Sequence, residues 1–163
     1  LSLEPPLRQF CGENVINGFD RPSVGPNAWV AAIDDPAPDL TLSWPQPQSI
    51  RRIDLVFDTD FDHPMESVLM GHPERDMPFC VSEVVIAAAG PSDEPGASQG
   101  SASTQTLKAA VANKVIAEIS ENHQSRVVVR LDEPVVTDLL EIRLVAPSVN
   151  VPAALFAVRC YTA

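Results

Sequence analysis

Polar side chains able to recognise a ligand gather first in the segment 14–29. They are Asn14, Asn17, Arg21, Asn27 and Trp29. Amides and guanidinium groups can hydrogen-bond sugar hydroxyls, and an indole can stack on the apolar face of a sugar ring. Asn residues also build loops through side-chain-to-backbone hydrogen bonds, and a buried Trp is common in β-sandwiches. We favour the structural interpretation, and a sugar-binding loop remains the alternative.

Alternating carboxylates form the second cluster. Asp58, Asp60 and Asp62 stand just before His63. Such groups can bind a hard cation or carry out acid–base chemistry. The segment lacks the glycine and the distal glutamate of a calcium-binding loop between two helices. We therefore expect an exposed acidic loop. Metal binding by Asp58, Asp60 and Asp62 is a lesser alternative, and a metal-assisted hydrolase that uses them is the weakest alternative function.

Two more polar groups fall in predicted loops. One group, His72, Glu74, Arg75 and Asp76, lies in the polar stretch 59–79, which is long enough to cover a ligand or dock on another domain. The other, Asn122, His123, Gln124 and Arg126, marks a hairpin turn. His123 and Arg126 are candidate ligand-binding residues there, with a solvated turn as the favoured interpretation. No serine or cysteine stands in a recognisable nucleophile motif.

Three cysteines, Cys11, Cys80 and Cys160, bear on redox chemistry. None lies in a CxxC pair, so the sequence does not predict a zinc knuckle. Buried, reduced thiols are the favoured interpretation. A disulfide between Cys11 and Cys160 is the alternative, because the two ends of a domain often lie close together.

Composition limits the classes of partner. The 163 residues are 45% hydrophobic and 20% charged, which predicts one folded domain rather than a disordered chain. A net charge of −11 disfavours nucleic acid and anionic membrane surfaces. No apolar run is long enough to predict a membrane span. Because the first residue is Leu1, we expect a piece of a longer protein.

Alternating hydrophobic residues predict seven short strands. They cover 40–44, 50–58, 81–88, 114–120, 126–131, 139–145 and 154–161. We expect Pro45 and Pro47 to end the first of them, since proline cannot donate to a sheet. Phe156, Val158 and Cys160 are assigned to one face of the last. Residues 1–12 read as an irregular lead-in and 89–106 as a flexible loop. The pattern predicts a single all-β sandwich domain over 1–163.

Several blocks of this sequence resemble a known family. They are NVINGFDRPSVGPNAW (14–29), IDLVFDTDFD (53–62), FCVSEVVI (79–86), ENHQSR (121–126) and ALFAVRCY (154–161). Together they look like the C-terminal β-sandwich module of bacterial FAD-dependent oxidoreductases. More distantly they resemble the discoidin and galactose-binding-like superfamily. The resemblance implies a jelly-roll sandwich of about eight antiparallel strands.

The resemblance also implies cofactors and cross-links. FAD would belong to the parent chain, because no GxGxxG loop is present here. Discoidin-like modules often hold calcium with an acidic residue of the last strand, but Ala157 stands at that place, so we expect no calcium. Some such domains join their first and last cysteines, which strengthens the Cys11–Cys160 alternative.

These observations lead to one main function and one alternative. The main hypothesis is a non-catalytic accessory module of a larger bacterial protein, acting in docking on its upstream domain, homo-oligomerisation or ligand presentation. The alternative is a carbohydrate-binding module. Its candidate binding residues are Asn17, Arg21, Asn27, Trp29, Asp58, Asp60, His123 and Arg126. A cytoplasmic location is slightly favoured over secretion.

Overall fold

The computed structural model describes residues 9–59, 79–90 and 114–162, and these residues form a jelly-roll β-sandwich, as the alternation predicts. A short 3₁₀ helix spans Gly12–Ile16. The strands are β1 (Trp29–Val30), β2 (Asp39–Phe57), β3 (Val84–Ala88), β4 (Lys114–Ile119), β5 (Arg126–Leu144) and β6 (Ala154–Tyr161). All neighbouring strands are antiparallel, in the order β1-β6-β2-β5-β3-β4.

Two long strands, β2 and β5, connect the two halves of the sandwich. Residues 39–43 of β2 pair with 139–143 of β5, which continues to β3 and β4; we call this the β3–β4 half. Residues 52–57 of β2 pair with β6 on one side, and residues 52–56 pair with 126–130 of β5 on the other. β1 pairs with the far edge of β6, and we call these four strand segments the β6–β1 half. Each half therefore contains one portion of β2 and one portion of β5.

The continuity of β2 corrects one expectation. Pro45 and Pro47 do not end the strand, because β2 continues to Phe57. The residues between Ser43 and Gln48 have no pairing partners on β5, and both prolines are exposed there. A missing N–H costs nothing where the ladder is already interrupted. The prolines thus occupy a stretch of one strand that is not paired with β5. The predicted segments 126–131 and 139–145 likewise join into the single strand β5.

One hydrophobic cluster fills the space between the halves. Ile53, Leu55 and Phe57 lie on one face of β2, as predicted, and pack with Ile86 and Ile142 of the β3–β4 half. Phe156 differs from the prediction. The β2–β6 register shifts between Val56 and Phe57, and this bulge places Phe156 in a second cluster with Ala157, Val56 and Ala28.

Several predictions fall outside the described residues. They concern residues 1–8 of the lead-in, most of the loop 59–79, and positions 91–106 of the predicted flexible loop. Within the described part, no helix is long and apolar enough to cross a membrane.

Candidate functional site

The segment 17–27 is a loop stabilised by its own polar side chains. Asn27 adopts a positive φ of 51°, and its amide nitrogen donates to the carbonyl of Arg21 (3.1 Å) and to Ser23 Oγ (2.8 Å). The amide nitrogen of Asn17 donates to Asn27 Oδ1 at 3.3 Å. The structure therefore brings Asn17, Arg21 and Asn27 together, but their contacts with one another are those of a turn. Trp29 is half-buried and packs against the main core.

Asp58 and His123 lie near a second group of polar residues. The amide of buried Asn122 donates to the carbonyl of Val81 (2.9 Å) and contacts Cys80 Sγ (3.3 Å). Burial, together with the nearby charge of Asp58, raises the pKa of the Cys80 thiol to about 11. Nδ1 of His123 lies 3.1 Å from the carbonyl oxygen of Glu121. Asn122 thus links the segment 120–125 to Val81, and Cys80 is an inert thiol.

The metal and loop candidates are only partly covered by the structure. Asp60, Asp62, His63 and the group from His72 to Asp76 lie outside the described residues. Within 9–59, 79–90 and 114–162, no three His, Cys, Asp or Glu residues converge to hold a metal ion. The metal hypothesis at Asp58 therefore gains no geometric support.

All three cysteines are thiols, so the Cys11–Cys160 disulfide is not formed in this structure. The fold explains their separation. The carbonyl of Phe10, next to Cys11, accepts from Val30 N–H, and Val30 pairs with Ala154 at the start of β6. Cys160 lies six residues further along β6, or about 20 Å at a strand rise of about 3.3 Å per residue. A disulfide needs Cα atoms within about 7 Å. Burial raises the pKa of Cys160 to about 11.

Arg126 belongs to a network of charges on the outer face of the β6–β1 half. Asp54, only 1% exposed, accepts from Arg126 Nη2 at 2.6 Å, and its Oδ1 lies 2.9 Å from Nε of Arg52. The hydrogen bond and charge of Asp54 raise the pKa of Arg126. Arg159, directly opposite Asp54 on β6, forms an ion pair with Asp20. We call this surface the charged face; its residues are Arg52, Asp54, Arg126, Arg130, Arg159 and Tyr161.

A cavity of about 350 Å³ lies at the end of the charged face, and we call it the Arg52 cavity. Its lining residues are Arg51, Arg52, Arg130, Leu131, Asp132, Tyr161 and Thr162. The Arg52 guanidinium lies over the Tyr161 ring at 3.9 Å from the centroid. The cavity thus offers guanidinium donors, a carboxylate, a hydroxyl and an aromatic ring within one concavity. This combination of polar groups suits a small hydroxylated ligand.

Sequence reasoning missed this cavity and included only Arg126 of the charged face. The alternation of Arg52 with Asp54, and of Arg126 with Arg130, does indicate which residues share a face. It does not indicate that Arg52 lies opposite both Arg130 and Tyr161, because that register joins strands distant in sequence. Only the paired strands bring these residues together.

The strand order and pairing define the class of this domain as an antiparallel jelly-roll β-sandwich. It is similar to the family 32 carbohydrate-binding module of Streptococcus pneumoniae EndoD, with 13% identity and a TM-score of 0.64, covering 99% of this chain and 92% of that one. It is also similar to the family 32 module of C. perfringens NanJ in complex with galactose, with 12% identity and a TM-score of 0.58, covering 94% and 86%.

A third similar structure is the fucolectin from serum of Morone saxatilis. The identity is 17% and the TM-score 0.61, over 96% of this chain and 44% of that one. No protein-family model matches the sequence, and no curated protein matches it. At these identities the similarity shows the fold alone. The expectation of a flavin-oxidoreductase parent finds no support among these neighbours.

Proposed function

We propose that this domain is a carbohydrate-binding module that holds a saccharide in the Arg52 cavity. The carrying observation is the convergence of Arg130, Asp132, Tyr161 and Thr162 on a cavity of about 350 Å³. Guanidinium groups donate hydrogen bonds to ring and hydroxyl oxygens, and a carboxylate accepts from hydroxyls. Three structures of similar fold support the same class of ligand here. The EndoD and NanJ structures are carbohydrate-binding modules, the latter in complex with galactose, and the third is a fucolectin.

A glycan array with the purified chain tests the proposal. We expect binding to one or more saccharides, and loss of that binding in Arg130→Ala. Lys114→Ala is the matched control, because it removes one positive charge from an exposed strand residue on β4, away from the cavity. The proposal is overturned if the folded chain binds no glycan at millimolar concentration. It is also overturned if Arg130→Ala binds as the wild type does.

Docking is a second candidate, favoured by exposed apolar side chains in the segment 10–24. Phe10, Ile16, Phe19 and Val24 are each about half exposed or more. Exposed apolar groups near one another mark association surfaces. If this surface joins two copies of the chain, sedimentation velocity will show a concentration-dependent dimer. The double variant Ile16→Ser with Phe19→Ser will then be a monomer, and a wild type that stays monomeric at high concentration excludes this form of docking.

A further inference from the structure

Two arginines face each other at the rim of the Arg52 cavity. Arg52 of β2 lies directly opposite Arg130 of β5, and on its other side it lies opposite Tyr161 of β6. Like charges at directly opposed strand positions destabilise a sheet. This arrangement occurs in a chain whose net charge is −11. The cavity is therefore a local concentration of positive charge on an acidic protein.

An irregularity in β2 adds a third guanidinium. The β2–β5 register shifts between Ile50 and Arg52, so Arg51 occupies a bulge. In a regular strand Arg51 and Arg52 would point to opposite faces. Here both line the same cavity. The bulge thus recruits a side chain that strand alternation would send elsewhere.

The positive charges in the cavity are incompletely balanced. Asp54 is shared between Arg52 and Arg126, at 2.9 and 2.6 Å. Among the described residues that line the cavity, Asp132 is the only one with a carboxylate. Within residues 9–59, 79–90 and 114–162, neither Arg51 nor Arg130 has a carboxylate at ion-pair distance. As far as the described residues extend, the guanidinium groups of Arg51 and Arg130 can therefore bind an anion.

The cavity also accommodates groups that a simple anion lacks. Asp132 can only accept hydrogen bonds when ionised, so it disfavours any anionic group directly beside it and would bind hydroxyl donors. Thr162 adds a hydroxyl that both donates and accepts. The volume lies at the small end of ligand pockets, which suits a single sugar residue. Arg52 is held in place by Tyr161 and Asp54, so little conformational entropy is lost on binding.

From these observations we infer that the ligand is an acidic saccharide whose carboxylate is bound by Arg51 and Arg130 while its hydroxyls face Asp132 and Thr162. The inference rests on the proposed function, since it names the class of sugar held in the same cavity. A carboxylate on a sugar ring provides the flat pair of oxygens that a guanidinium binds through two hydrogen bonds.

Calorimetric titration with four probes tests the inference. The probes are galacturonate, glucuronate, galactose and inorganic phosphate, at one pH and one ionic strength. We expect one or both uronates to bind at least about tenfold more tightly than galactose or phosphate, since bidentate charge-assisted hydrogen bonds are about twice as strong as neutral ones. Arg130→Lys keeps the charge but loses the planar fork, and it should weaken uronate binding severalfold. Lys114→Ala should bind as the wild type does.

The outcomes separate this inference from the proposed function. If galactose binds as tightly as galacturonate and Arg130→Ala abolishes both, the carboxylate inference is wrong and saccharide binding stands. If phosphate binds as tightly as the uronates, the cavity recognises simple anions and the inference is overturned. Absence of binding by the sugars tested here and by the glycan array overturns both proposals. Circular dichroism of each variant confirms that loss of binding is not loss of the fold.

Discussion

A single carboxylate, Asp54, stabilises the charged face. It is 1% exposed, and its two oxygens lie 2.9 Å from Arg52 Nε and 2.6 Å from Arg126 Nη2. A buried charge is unfavourable unless it is paired. Because Arg126 is on β5 and Asp54 on β2, the pair also joins two neighbouring strands. The sequence shows Asp54 as one polar residue of an alternating strand, and nothing in it indicates that this residue is fully buried.

Replacing this carboxylate should destabilise the domain. Asp54→Asn keeps the shape of the side chain and leaves the guanidinium groups without their anion. We expect the free energy of unfolding to fall by about 3 kcal/mol, the lower end for a broken buried pair because the arginines remain half exposed. Urea denaturation at pH 7 measures the change. Asp34→Asn, at an exposed position, should change stability by less than about 0.5 kcal/mol, and an equally small effect at Asp54 would contradict the assignment.

At the scale of the element, Thr137 forms hydrogen bonds where the pairing of β5 with β2 changes register. Its side chain is fully buried, and its hydroxyl donates to the carbonyl of Ala89 at 2.8 Å and accepts from Leu139 N–H at 3.1 Å. Thr137 pairs with Gln48, whereas Leu139 pairs with Ser43, so the register changes beside it. The hydroxyl thus satisfies backbone groups at the irregularity.

Thr137→Val tests that role, because valine has the same shape but cannot form these hydrogen bonds. The carbonyl of Ala89 and the N–H of Leu139 would lose a partner inside the protein. We expect a loss of about 1–3 kcal/mol in the free energy of unfolding. Thr41→Val, on an exposed position of β2, should leave stability unchanged or slightly raised. Equal melting temperatures for Thr137→Val and the wild type would show that the hydroxyl is not needed.

The elements were predictable wherever a local rule governs them. Period-two alternation predicted β4, β6 and the buried face at Ile53, Leu55 and Phe57. Alternation failed at Phe156, and the rule that proline ends a strand failed at Pro45. In both places the outcome depends on where a partner strand stops pairing or shifts by one residue. Sequence periodicity contains no information about the partner's register.

The cavity was unpredictable for the same reason. Arg52, Arg130 and Tyr161 come from three strands that are far apart in sequence, and Arg51 joins them through a bulge. The sequence did place Asn17, Arg21 and Asn27 in one loop, since residues close in sequence stay close in space. The interpretation of that loop as a structural turn agrees with its internal hydrogen bonds.

At the scale of the whole molecule, the two halves of the sandwich share one core. Side chains from both contribute to the same cluster, and β2 and β5 run through both. Neither half can lose its contacts without exposing the apolar side chains of the other. The described sandwich should therefore unfold as one cooperative unit.

The two tryptophans provide separate reporters of this cooperativity. Trp29 lies in the β6–β1 half, and Trp44 lies in the stretch of β2 that is not paired with β5. Both pack against the shared core. Trp29→Phe and Trp44→Phe each leave one indole, whose fluorescence can be followed during urea denaturation. Within each variant we expect the fluorescence midpoint to coincide with that from circular dichroism. Distinct midpoints in either variant would show that the halves unfold separately.

The order of the strands along the chain determines when each strand can pair during synthesis on the ribosome. β2 is complete at residue 57, but its partners β5 and β6 begin only at residues 126 and 154. β1 also waits for β6, so β3 with β4 is the only described strand pair that can form before β5 emerges. β2, which supplies Ile53, Leu55 and Phe57 to the core, therefore stays unpaired until most of the domain has been translated. During that interval its unpaired edges expose it to aggregation and to binding by chaperones.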